Sequence, residues 1–150
     1  MAKIYISSVI KAPIEIVWEY IRDFNGLPKW FPGVTDSRLE ADKLSGQVGC
    51  IRNFGLEGGA RMREQLLAFS DHAHSCTYRM LEGPLPVQNY VGTVRLLPVT
   101  EGDLTFAEYQ VDFECAREQE NELTSSLSKI YRGAFEHLVQ HLPATGKAVG

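Results

Sequence analysis

The chain has 150 residues, 44% hydrophobic and 23% charged, with a formal net charge of −4, the profile of an ordinary globular domain with one core. Basic residues come at most in pairs or alternations such as Arg61 and Arg63, so nothing resembles the electrostatic footprint of a nucleic-acid binder. Met1-Ala2-Lys3 leads straight into an alternating strand, and no apolar run is long enough to span a bilayer, so a cytoplasmic protein with no membrane insertion is expected. Cys50, Cys76 and Cys115 are far apart and form no CxxC pair. They read as small buried hydrophobes in a reducing compartment.

Residues 3 to 11 are rich in β-branched and aromatic types and form the first expected strand. Pro13 then suits the first position of a helix, and Ile14, Val17, Trp18 and Ile21 make an amphipathic stripe that ends near Asp23. After the break at Asn25-Gly26-Leu27-Pro28, Lys29 to Gly33 leaves room for at most one more helical turn.

From Val34 to Cys115 turn signals recur, at Leu44-Ser45-Gly46, Gly58-Gly59, Ser70-Asp71-His72, Gly83 to Pro86 and Glu101-Gly102-Asp103. They punctuate six strands, at 34–42, 47–55, 60–69, 74–82, 88–98 and 104–115, and so predict an antiparallel meander. From Gln119 to Leu142, Leu123, Leu127, Ile130, Tyr131, Ala134, Phe135, Leu138 and Leu142 keep the three-and-four spacing of one helix face. Acidic residues at its start suit the helix dipole, and Pro143 stops it. Ala144 to Gly150 reads as a loose tail. The expected fold is α+β: a curved antiparallel sheet of about seven strands around a long C-terminal helix, with two short helices after the first strand, in one domain.

Strand parity assigns the sheet's inner face. Ala60, Met62, Leu66 and Ala68 share a face with Glu64, Leu67 and Phe69 share the outer one with Arg61, Arg63 and Gln65, and Cys50 and Phe54 share a face with Arg52. Cys76, Tyr78 and Met80 go together, as do Tyr90, Gly92, Val94 and Leu96, and then Ala107, Tyr109, Val111, Phe113 and Cys115. An apolar face that carries Arg52, Glu64 and three tyrosine hydroxyls suits a cavity better than a solid core, because unpaired buried polar groups are costly. The expected lining is Phe54, Met62, Leu66, Tyr78, Met80, Val94, Tyr109 and Phe113 from the sheet, and Leu127 and Tyr131 from the helix. Trp30 and Phe31 would stand at its mouth or pack against the helix.

The succession of Lys11-Ala12-Pro13 to Val17-Trp18, Trp30, Gly49-Cys50-Ile51-Arg52, Arg63 to Phe69 and Tyr90 to Arg95 resembles the SRPBCC superfamily. That is the START-like, Bet v 1-like helix-grip fold, and within it the bacterial polyketide cyclase/dehydrase and lipid-transport proteins. The last three stretches look similar to the branch that includes plant lachrymatory factor synthase. By that resemblance, catalytic roles would fall on Arg52, Glu64 and Tyr90.

Read on their own chemistry, Glu64 could move a proton and Arg52 could hold a developing oxyanion, or the two could simply form a cross-strand ion pair. His137 and His141 have the spacing of metal ligands, but there is no HExxH motif and no third ligand, so no metal or cofactor is expected. His72 and His74 read as exposed turn residues. The expected partner is a small hydrophobic or amphipathic molecule. The alternatives are a cofactor-independent cyclase, dehydratase or isomerase, and an interaction protein whose cavity does nothing.

Overall fold

The computed structural model describes residues 1–143. Ala144 to Gly150, expected as a tail, lies outside them. The first strand, β1 (Ala2–Ile10), is followed by α1 (Ile14–Arg22) and a single 3-10 turn, Leu27–Lys29. Then come β2 (Val34–Leu39), β3 (Ile51–Leu56), β4 (Arg61–Ser70), β5 (Ser75–Glu82), β6 (Gln88–Val99), β7 (Leu104–Glu114) and the long helix α2 (Glu120–His141). The seven strands form one sheet in the order β1-β7-β6-β5-β4-β3-β2, with every pair antiparallel. This is the expected meander, with the first strand joined to the last. The sheet curves around α2.

The two helices close the sheet at different places. All four stripe residues of α1 are buried. Asp71, in the turn after β4, clips this helix down: it accepts hydrogen bonds from Trp18 Nε1 at 2.7 Å and from Arg22 Nε and Nη2 at 2.9 and 3.0 Å. Hydrogen bonding from Arg22, and then from Trp18, holds the Asp71 carboxyl down to about 2. On α2, Leu127, Tyr131, Ala134, Phe135 and Leu138 are buried, whereas Ile130 is 44% exposed, and Leu123 and, just past the helix end, Leu142 are half-buried. Ile130 is therefore a correction to the expected buried stripe: it stands outside the packed core, on the flank of the helix.

A second correction concerns β4. Leu66 pairs with Tyr78 but Ala68 with Thr77, so β4 spends two residues where β5 spends one. Such a bulge reverses the side-chain alternation. Ala68, expected inside, is exposed, and Phe69, expected outside, stacks on Trp18 at 5.8 Å. His74 is half-buried rather than exposed, edge-on to the same indole at 5.7 Å.

One glycine is required by close approach. On β6, Gly92 pairs with Tyr78 of β5, and a Cβ at Gly92 would stand 2.6 Å from Tyr78 Cζ. Gly92→Ala is therefore expected to displace the Tyr78 ring and to cost roughly 1 to 3 kcal/mol. A urea midpoint equal to the wild type's would show instead that the ring has room to move.

Candidate functional site: a cavity under the long helix

Between α2 and the curved sheet lies a cavity of about 480 Å³, within the roughly 300 to 1,000 Å³ usual for small-molecule sites. Its walls are mainly apolar, with Leu27, Phe54, Leu56, Met62 and Leu127 among them. The entrance is made by segments of very different kinds. These are the Phe31-Pro32-Gly33 loop, Glu57 in the β3–β4 hairpin, Pro84 and Leu85 in the β5–β6 loop, and Lys129, Ile130 and Gly133 on α2. His137 Nδ1–H donates to the Trp30 carbonyl at 2.7 Å and so ties the first of these loops to the helix.

The polar centre is built by strand register. Arg52 of β3 and Glu64 of β4 are direct cross-strand partners on the inner face, so alternation alone brings them together. Arg52 Nε–H donates to Glu64 Oε1 at 2.9 Å, and Nη2 lies 2.7 Å from the same oxygen. A third guanidinium nitrogen, Nη1, donates to the Phe24 carbonyl at 3.4 Å. The guanidinium carbon lies 4.0 Å from the centre of the Phe24 ring and 4.8 Å from that of Tyr78, distances at which a desolvated cation is stabilised by the ring faces. Phe24 follows α1 directly, so the clip at Asp71 also steadies one wall of the Arg52 site.

Both charged residues are nearly sealed, at 6% exposure for Arg52 and 4% for Glu64, yet both line the cavity. Burial pushes the Glu64 carboxyl above its ordinary value, with Arg52 pulling the other way. Burial, the largest single influence, would lower the Arg52 guanidinium, but Glu64 together with the Tyr78 and Tyr109 phenols outweighs it and keeps Arg52 charged. Beside this pair runs a chain of four tyrosines. The Tyr78 hydroxyl meets that of Tyr109 at 2.5 Å and that of Tyr131 at 3.5 Å, and Tyr131 is in turn hydrogen-bonded to Tyr90. Burial raises Tyr78, Tyr109 and Tyr131 above the ordinary phenol value, so they remain neutral hydroxyls.

Of the residues proposed from sequence, Arg52, Glu64, Tyr90, Phe31, Phe54, Met62, Tyr78, Tyr109, Leu127 and Tyr131 all line this one cavity. Five others do not. Leu66 and Val94 are buried in the closed core, and Phe113 stacks behind Tyr90 at 5.9 Å. Trp30 packs edge-on to Phe31 at 5.5 Å. Met80 leans toward Gly83, its sulfur 3.2 Å from where a Cβ would stand there. The entrance residues on loops escaped the strand parities, which do not extend into loops. Gly133 did carry a signal, because a glycine in a helix interior costs about 1 kcal/mol relative to alanine and asks for a reason.

Comparison with known proteins places this arrangement among relatives. The profile of the family described as "Polyketide cyclase / dehydrase and lipid transport" matches residues 1–143. The abscisic acid receptor PYL10 of Arabidopsis thaliana is 29% identical over 110 residues, which is 69% of this chain. The match spans 59% of the receptor's own length. Among solved structures, the protein XoxI from Bacillus cereus superposes with a TM-score of 0.85 at 27% identity, covering 95% of this chain and 96% of that one. A protein from Nitrosospira multiformis gives 0.82 at 28% identity, covering 97% and 99%. Ginseng major latex-like protein 151 from Panax ginseng, at 19% identity and a TM-score of 0.79 over 95% and 98%, shares the fold. No helix among the described residues is long and apolar enough to cross a membrane.

Proposed function

The chain belongs to the polyketide cyclase / dehydrase and lipid transport family, within the helix-grip SRPBCC superfamily, and from that premise we propose that it binds a small, largely apolar molecule in the cavity under α2. The observation that carries this reading is the lining itself. Apolar walls enclose about 480 Å³ and converge on one polar centre, Arg52–Glu64 with the tyrosine hydroxyls. A solid core would have no use for that space, and a cavity with so few polar groups orients an apolar guest by one end. The likeness to an abscisic acid receptor supports the same reading.

A second reading is favoured by one detail. Glu64 is buried and raised, and only its Oε1 is held by Arg52, the condition in which a carboxyl can exchange a proton with a guest. On that reading the protein is a cofactor-independent cyclase, dehydratase or isomerase, with Glu64 as acid and base, Arg52 as electrophilic stabiliser and Tyr90 beside them. The resemblance to the lachrymatory factor synthase branch points the same way.

A thermal-shift screen with apolar alcohols, phenols, ketones and acids separates the readings. A guest at a hundred times its dissociation constant stabilises the fold by about 2.7 kcal/mol, which shows as a clear rise in Tm. No response across the panel would sink the binding reading. Conversion of a bound guest by the wild type but not by Glu64→Gln, with binding retained, would establish the enzyme.

A further inference from the structure

The hydrogen-bond inventory of the cavity narrows its guest, on the premise that the cavity binds one. Four charged side chains line it: Arg52 and Glu64 at the polar centre, Glu57 and Lys129 at the entrance. Their formal charges cancel in each pair, so the cavity offers no net charge to an ionic ligand. Three of the five Arg52 N–H donors are engaged, on Glu64 Oε1 and on the Phe24 carbonyl, and the Nε–Nη2 edge that would clamp a carboxylate is the one Glu64 already holds.

Besides the two remaining N–H groups of Arg52, one acceptor and one phenolic donor are unspent. The acceptor is Glu64 Oε2, for which no hydrogen bond to the described residues exists, on a residue that is 96% buried and lines the cavity. The donor follows from counting. Tyr90, Tyr131, Tyr78 and Tyr109 carry four O–H protons but share three hydroxyl contacts. Each contact uses one proton, so one O–H is left over, with no acceptor among the described residues. All four tyrosines line the cavity. On adjacent strands Glu64 pairs with Met80, and Leu66 with Tyr78, so the free carboxylate oxygen and the tyrosine chain sit diagonally on one sheet face.

We propose that this cavity selects a neutral guest bearing a hydroxyl group, a phenol or an alcohol on an apolar body, whose O–H donates to Glu64 Oε2 and whose oxygen accepts from the spare tyrosine O–H. A hydroxyl is the smallest group that supplies both halves at one atom. A methyl ether of the same shape accepts but cannot donate and leaves Glu64 Oε2 buried without a partner. A carboxylate donates nothing and brings a second negative charge beside Glu64. Both mismatches are of the kind that discriminates strongly, because the protein's own buried groups are left unpaired.

The test is calorimetric titration of the whole chain with three probes of one shape: para-hexylphenol, para-hexylanisole and para-hexylbenzoate. The phenol is expected to bind at least tenfold more tightly than either of the others, and Glu64→Gln to reduce that preference. Equal affinities, or a preference for the ether or the benzoate, would overturn the hydroxyl assignment and leave the binding reading standing. No binding by any of the three, together with silence across the wider thermal-shift panel, would overturn the binding reading on which it rests.

Discussion

Replacing Arg52 by alanine is expected to destabilise the fold by about 3 to 5 kcal/mol, the usual consequence of removing one member of a buried ion pair. The size follows from what the guanidinium touches. It is hydrogen-bonded to Glu64 Oε1 and to the Phe24 carbonyl and covered by the rings of Phe24 and Tyr78. Alanine would strand the Glu64 carboxyl in an apolar enclosure and open a void under two aromatic rings. A double variant, Arg52→Met with Glu64→Leu, removes both charges while roughly conserving volume. Because a buried pair gains little over apolar side chains of similar shape, the double variant is expected to lose far less than the single one. Urea denaturation of the three proteins checks this. A single variant within about 1 kcal/mol of wild type would mean that Arg52 reaches solvent, contrary to its placement.

The same comparison bears on why the pair exists. If the double variant is stable, the fold does not need Arg52 and Glu64, and their presence has to be explained by the occupant of the cavity. The ligand titrations then say which explanation holds. A double variant that keeps its stability but no longer prefers the phenol would assign the pair to recognition.

Much of this architecture is legible in the residues, and the illegible parts have physical causes. Period-two alternation carries Arg52, Glu64, Tyr78, Tyr90 and Tyr109 to the inner face correctly, because a half-buried strand has only two faces to choose from. It does not reveal that Arg52 stands opposite Glu64, since register is set by turns and bulges at a distance. Phe69 and Ala68 exchange faces relative to simple alternation for the same reason: one extra residue in β4 reverses the order after it. Phe24 gave no periodic signal as the partner of Arg52, because it lies just beyond the end of α1, where helical spacing stops. Ile130 obeys the helical spacing and is nonetheless exposed, because it borders the cavity and stands outside the packed core.

Gly133 provides the second large effect. It lies in the interior of α2, lines the cavity entrance, and has nothing within 4 Å of the position its Cβ would occupy. Glycine there sacrifices about 1 kcal/mol of helix stability relative to alanine, and no steric crowding demands it. The open space it leaves borders the cavity. Gly133→Ala is therefore expected to stabilise the protein by about 1 kcal/mol, roughly 2 to 4 °C in Tm for a chain of this size. A large residue at the same position, in Gly133→Phe, keeps helical propensity above that of glycine but fills the entrance.

The most direct test that the cavity is the working part of this molecule is the affinity of Gly133→Phe for para-hexylphenol, measured beside its melting temperature. The prediction is a protein as stable as wild type that has lost at least tenfold in affinity. Wild-type affinity in a stably folded Gly133→Phe protein would contradict it, because the guest would then be binding somewhere other than under the helix.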